Sequence, residues 1–263
     1  VEEQVACILR EQYGLRAVKL TPMTTGVGGS TFLVDAGEQR FVFKIADANH
    51  MNHPETESEI CAYLASRQIP VSVFVEKADG AVLVDCGQGR VGHLQTFVDG
   101  VMYSQNHAPQ WLMREMPALL GKIHRALRDF RPLPAGIGKD FFTNMTPERA
   151  IVSYRASMDL AKAAGDGQIW EELTARIRIV EKIRNWRFDL SRLTCRNSHG
   201  DFTVHQILCG DGNVNAVIDW TSACTHPVIW EITRSYFYGA PCPDGGVPGI
   251  EALPAYAEAY EYH

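Results

Sequence analysis

The sequence predicts an α+β fold in two lobes, a small β-rich N-terminal part (residues 1–95) and a larger helical C-terminal part (residues 96–263). Three observations predict it. Residues 17–46 and 71–84 hold short runs rich in Val, Phe and Ile, broken by turn residues, as strands require. From Gln110 the apolar residues change to helical spacing, with Leu112, Met116, Leu119, Leu120, Ile123 and Leu127 on one stripe. Inside the helical half, two short apolar runs flank Gly210-Asp211-Gly212-Asn213, a turn signal that makes them a hairpin.

The elements follow in order. Residues 2–13 read as a short helix around Val5, Ile8 and Leu9. Ala17–Leu20, Thr31–Val34 and Arg40–Ile45 read as strands, the last two joined by the hairpin loop Ala36-Gly37-Glu38-Gln39. A glycine-containing segment, Thr24-Thr25-Gly26-Val27-Gly28-Gly29-Ser30, separates the first two strands. Pro54, suited to a first helical turn, opens a helix to about Gln68. Val71–Glu76 and Ala81–Val84 are expected strands, and His93–Gly100 closes the β-rich part. Helices are expected at 110–130, 147–164, 168–188, 227–238 and 249–262, with residues 197–220 as loop and hairpin.

Bulk properties exclude some classes. A net charge of −6 lacks the basic surface that nucleic acid requires. Seven cysteines, an odd number, widely spaced and without a C-x-x-C pair, fit reduced thiols in a cytoplasmic protein. No apolar run is long enough to cross a bilayer, and no signal peptide is visible. Val1 in place of a start methionine, and an end within a helical pattern, lead us to expect trimmed ends. Oligomeric state is not legible.

The chemistry concentrates in His199-Gly200-Asp201, Gln206 and Ile218-Asp219-Trp220. If the hairpin folds about its turn, Gln206 lies opposite Val217, and Gln206 and Asp219 share one end. Asp201, five residues before Gln206, lies in the loop leading in. Oxygen donors gathered in this way suit a hard cation beside phosphates. Lys44 sits on an otherwise apolar strand, where an unpaired ammonium is costly, so it wants an acid. Glu57 shares the inward face of its helix with Ile60 and Cys61 and is the favoured partner; Glu59 points more to the side. A zinc site at His199, His205 and Cys209 lacks a fourth ligand and the spacing of a structural site.

These residues resemble the aminoglycoside phosphotransferase superfamily, which includes choline kinase-like and homoserine kinase-like enzymes with a protein-kinase-like bilobal fold. The resemblance runs from about residue 20 to 238. It implies an ATP- and Mg²⁺-dependent kinase acting on a hydroxyl of an aminoglycoside, an amino alcohol or a homoserine-like acceptor. Asp201 would be the catalytic base, with Gln206 and Asp219 as Mg²⁺ ligands. Lys44, paired with Glu57, would hold the ATP α- and β-phosphates, and Gly28, Gly29 and Ser30 would lie near them. The backbone of Thr96 and Val98 would bind adenine at the hinge. Gln206 stands where the family usually has Asn, which motivates an alternative: a nucleotide-binding pseudokinase acting through partners. Glu231 stands where many relatives have Asp.

Overall fold

The computed structural model describes residues 1–23, 29–47, 54–136, 146–187, 189, 192–242 and 247–260. The N-terminal part is a five-stranded antiparallel sheet in the order β1-β2-β3-β5-β4. Its strands are β1 (Lys19–Met23), β2 (Gly29–Ala36), β3 (Gln39–Asp47), β4 (Leu83–Gly87) and β5 (Arg90–Thr96). Period-2 alternation gives the sheet two different faces. Phe32, Val34, Phe43, Ile45, Val84 and Leu94 form a core with Val5 and Leu9 of helix α1 (Glu2–Tyr13). Lys44 alternates with Phe43 and Ile45, and so points to the other face, where its cross-strand neighbour is His93.

A second and larger core fills the helical part. It takes in Leu112, Met116, Leu120 and Ile123 of α3 (Gln110–Ala126), whose apolar stripe was predicted from spacing. Ile60 and Leu64 of α2 (Pro54–Ser66), Phe74, Phe202, Trp220 and Ile232 join it. Burying one such large apolar side chain is worth about 1.5–3 kcal/mol. Helices α4 (Pro147–Ala164) and α5 (Gly167–Lys182) form a hairpin. Asp166 caps α5, its side chain accepting from the Ile169 amide at 3.0 Å. Helices α6 (Val228–Gly239) and α7 (Leu253–Glu258) complete the fold, α6 crossing both α3 and α7.

Several expectations are corrected. Val71–Glu76 is not a strand but makes isolated bridges, Val71 to Val217 and Phe74 to Gln95. The edge of β5 is shared: residues 73–75 bond Leu94 and Thr96, and β4 takes over from His93. The segment also buries Ser72 and Phe74, not its valines, because the Ser72 hydroxyl finds the Thr96 carbonyl at 2.7 Å. Within 197–220 the expected loop begins with a strand, β6 (Cys195–Ser198), which pairs with β9 (Cys224–Pro227). The hairpin consists of β7 (Ile207–Gly210) and β8 (Asn213–Val217). A bulge between Leu208 and Cys209 shifts its register, so Ile207, not Gln206, faces Val217. The last helix is shorter than expected, Leu253–Glu258 rather than 249–262. All seven cysteines are free.

Candidate active site

The loop His199–Gln206 joins β6 to β7, and Ile218–Ser222 leaves β8. The two run side by side. The Ile218 amide donates to the Gln206 carbonyl at 2.9 Å, which brings Gln206 and Asp219 to the same end of the hairpin. Asp201 is held there by two side chains. Gln206 Nε2 donates to Asp201 Oδ2 at 3.1 Å, and the Arg234 guanidinium donates to Asp201 Oδ1. Gln206 thus spends its amide nitrogen on Asp201 and keeps its oxygen for another partner.

Asp219 is in a left-handed conformation, φ 62° and ψ 65°, unusual for a residue with a side chain. Its Oδ1 accepts from Thr221 Oγ1 at 2.9 Å. The next residue, Trp220, is buried and anchored twice: its amide donates to Glu57 Oε1 at 3.2 Å, and its indole donates to the Val217 carbonyl at 3.1 Å. The strained Asp219 is therefore over-determined by its neighbour.

Glu57 is 1% exposed, and among the described residues its Oε2 has no hydrogen-bond partner. Burial pushes its carboxyl up to about 7; Lys44 pulls the other way, and Asp219 adds to the rise. Glu57 thus feels the charges of both Lys44 and Asp219, yet among the described residues no ion pair closes between Lys44 and Glu57. Glu59 points outward and pairs with Arg131 at 2.6 Å. His93 is fully buried without a hydrogen-bond partner among the described residues. Burial, helped by the charge of Lys44, holds it down to about 3, so the ring is neutral.

The other predicted positions are spread along the sheet. Gly29 pairs with Ala46, and a Cβ there would stand 2.4 Å from the Ile45 carbonyl oxygen, so this close strand approach requires glycine. Ser30 is exposed opposite Ile45. Gly28 lies outside the described residues. Thr96 already donates its amide to the Val73 carbonyl at 2.8 Å, and its carbonyl accepts from Ser72, leaving one lone pair. Val98, half-buried, has no backbone hydrogen bond among the described residues.

Beneath the loop lies a network the sequence did not reveal. Glu231 on α6 is fully buried. Its Oε1 accepts from the amides of Gly200 at 2.8 Å and Phe202 at 3.2 Å. Its Oε2 meets His124 Nε2 at 3.2 Å and His226 Nε2 at 3.3 Å. Burial alone would raise this carboxyl, but the two imidazoles outweigh it and hold Glu231 well below the carboxylate range. In return, against its own burial, His226 is raised to about 9 by Cys224 and Glu231. His199 adds a brace: the Asp201 amide donates to its Nδ1 at 3.2 Å, so Nε2 carries the proton and donates to the Ile218 carbonyl at 2.9 Å. Gly200, at φ +83°, would place a Cβ 1.9 Å from the Ser222 carbonyl oxygen. Arg234 and the His124–Glu231–His226 group carried no local signal.

All of these partners are fixed by the fold, and the fold is shared with solved structures. The chain is similar to amicoumacin kinase hAmiN, crystallised with AMP-PNP, Ca²⁺ and Ami, at TM-score 0.66 and 11% identity over 98% of this chain and 75% of that one. It is similar to spectinomycin phosphotransferase APH(9)-Ia, in complex with ADP and spectinomycin, at TM-score 0.63 and 15% identity over 98% and 83%. A thermostable mutant of aminoglycoside phosphotransferase APH(4)-Ia, with ADP and hygromycin B, gives TM-score 0.58 and 15% identity over 89% and 77%. These likenesses establish the bilobal, kinase-like fold. No curated protein matches the sequence. The family model described as "Phosphotransferase enzyme family" matches residues 19–262, nearly the whole chain, and the protein therefore belongs to that family.

Proposed function

We propose that the protein transfers the γ-phosphoryl group of ATP to a hydroxyl of a small molecule, with Mg²⁺ accompanying the nucleotide. The observation that carries this reading is the meeting of Asp201, Gln206 and Asp219 at one end of the 207–217 hairpin, with Glu57 feeling the charges of both Lys44 and Asp219. Family membership supplies the reaction class.

The residues fit Mg²⁺ in the presence of a nucleotide. Gln206 has an amide oxygen left over, and Asp219 has a second carboxylate oxygen beyond the one taken by Thr221. Among the described residues no group of three His, Cys, Asp or Glu makes a metal site by itself. That suits an ion that takes one or two protein ligands and completes its shell with phosphates and water. Bound in this way, Mg²⁺ neutralises phosphate charge during transfer.

The chain's own residues do the rest. Asp201 accepts the proton of the acceptor hydroxyl, oriented through Oδ1 by Arg234 and through Oδ2 by Gln206. Lys44, whose charge reaches Glu57, holds the phosphates. Adenine takes the Val98 amide and the remaining Thr96 lone pair, while Gly28, Gly29 and Ser30 cover the phosphates. The similar structures hold Ami, spectinomycin or hygromycin B together with a nucleotide, and by analogy we place this acceptor among aminoglycosides, amino alcohols and homoserine-like compounds.

The test is ATP turnover with Mg²⁺ against a panel of those acceptors. Turnover on at least one, abolished in Asp201→Asn with nucleotide affinity retained, is expected. Tight nucleotide binding with no turnover on any acceptor would favour the pseudokinase reading motivated by Gln206.

A further inference from the structure

Cys224 and His226 stand two residues apart on β9, and so on one face of the strand. Cys224 Sγ is 3.6 Å from His226 Nδ1, and His226 Nε2 is 3.3 Å from Glu231 Oε2. Thiol, imidazole and carboxylate thus stand in line, the carboxylate holding the imidazole beside the sulfur. The phosphotransferase reading makes no use of the thiol. Cys224 also lines a cavity of about 390 Å³, with Thr56, Glu57, Gly136, Gly200 and Ser222 among its walls. Cys224 is itself buried, 5% exposed, so burial does not set it apart; the imidazole beside it and its place in the cavity wall do. Desolvation raises the pKa of the buried Cys61, Cys86 and Cys209. Cys195 is exposed but has no imidazole partner among the described residues.

From this geometry we infer that Cys224 is a modification site, a cavity-facing thiol that exchanges with small disulfides. Sγ attacks one sulfur of the disulfide. The new Sγ–S bond forms as the reagent's S–S bond breaks, and the leaving half departs as a thiol with the proton Cys224 gives up. His226, raised to about 9, keeps a positive charge beside the sulfur at neutral pH. Bulk is the filter. A Cβ at Gly136 would lie 1.9 Å from Sγ, and one at Gly200 3.1 Å, so those two glycines back the sulfur closely. The cavity that Cys224 shares with Thr56 and Glu57 is the space open to the added group. Through His226 and Glu231 the modified sulfur is three contacts from the Gly200 and Phe202 amides.

The experiment is a time course of the full chain with bis(2-hydroxyethyl) disulfide under native conditions, read by peptide mass spectrometry. Cys224 should label at least about tenfold faster than Cys61 and Cys209, and His226→Asn should slow it roughly tenfold while leaving Cys195 unchanged. The rates at Cys61 and Cys209 report any unfolding in that variant. Thr56→Phe, which narrows the cavity without touching the relay, should also slow Cys224 several-fold. Labelling of Cys224 no faster than Cys61 and Cys209, or at an unchanged rate in both variants, would overturn the assignment.

Discussion

Arg234, one turn beyond Glu231 on α6, donates to Asp201 Oδ1, while its ring neighbour Tyr238 lies 5.0 Å from the guanidinium carbon. The same helix therefore fixes both the backbone of the candidate catalytic loop, through Glu231, and the carboxylate it presents, through Arg234. If Asp201 is the base, Arg234 is a positioning residue. Arg234→Ala should lower kcat about tenfold or more, because misorienting a reacting group by a fraction of an ångström costs this much. KM for ATP should stay within about twofold. Steady-state kinetics in ATP check the split; a change confined to KM would contradict it.

Glu57 makes stability depend on pH in an identifiable direction. Its folded value of about 7 lies above the ordinary 4.5, so the folded state binds the extra proton. Stability is full below 4.5 and falls as pH rises through 7. Glu57→Gln removes that slope. Relative to wild type, the variant should gain on the order of 2–4 kcal/mol between pH 5 and pH 8, measured by urea unfolding without nucleotide. Parallel curves for the two proteins would contradict a buried, unpaired Glu57.

Glu231→Gln should be among the most destabilising single changes, at about 3–5 kcal/mol, since it removes one side of a buried charge pair and leaves charged His226 uncompensated. The pH signature follows from His226. Its folded value of about 9 exceeds 6.5, so its contribution is complete below 6.5 and disappears as pH rises through 9. The gap between wild type and variant should narrow over that interval in chemical denaturation. Glu231 itself, depressed below 4.5, adds a loss on the acid side.

Gly200→Ala tests the loop without altering any charge. The added methyl meets the Ser222 carbonyl oxygen at 1.9 Å, and φ +83° is strained for alanine. A destabilisation of about 2–4 kcal/mol is expected, with loss of transfer beyond what stability explains. Thermal melts and activity at a temperature where both proteins are folded separate the two effects. Gly212→Ala, also at positive φ but with open space, should cost only about 1 kcal/mol.

Much of the fold was legible because its signals are local. The stripe of α3, the Gly210–Asn213 turn, and the apolar flanks of Lys44 each lie within one element, where spacing decides the face. Burial of Glu57 rather than Glu59 followed in the same way from its position relative to Ile60 and Cys61. The strand pair β6 and β9 was missed because Cys195–Ser198 and Cys224–Pro227 are short and polar, and each is a strand only by virtue of the other.

The sequence by itself determined the two-part α+β plan, the hairpin flanked by the segments bearing Asp201 and Asp219, and the lysine on an otherwise apolar strand, since periodicity and turn chemistry act over a few residues. Only the tertiary structure decided what holds those groups: Arg234 on Asp201, Glu231 under Gly200 and Phe202, and Trp220 locked to Glu57. Such partners lie 29 to 163 residues apart, and a hydrogen bond across that distance leaves no mark on the local pattern of either end.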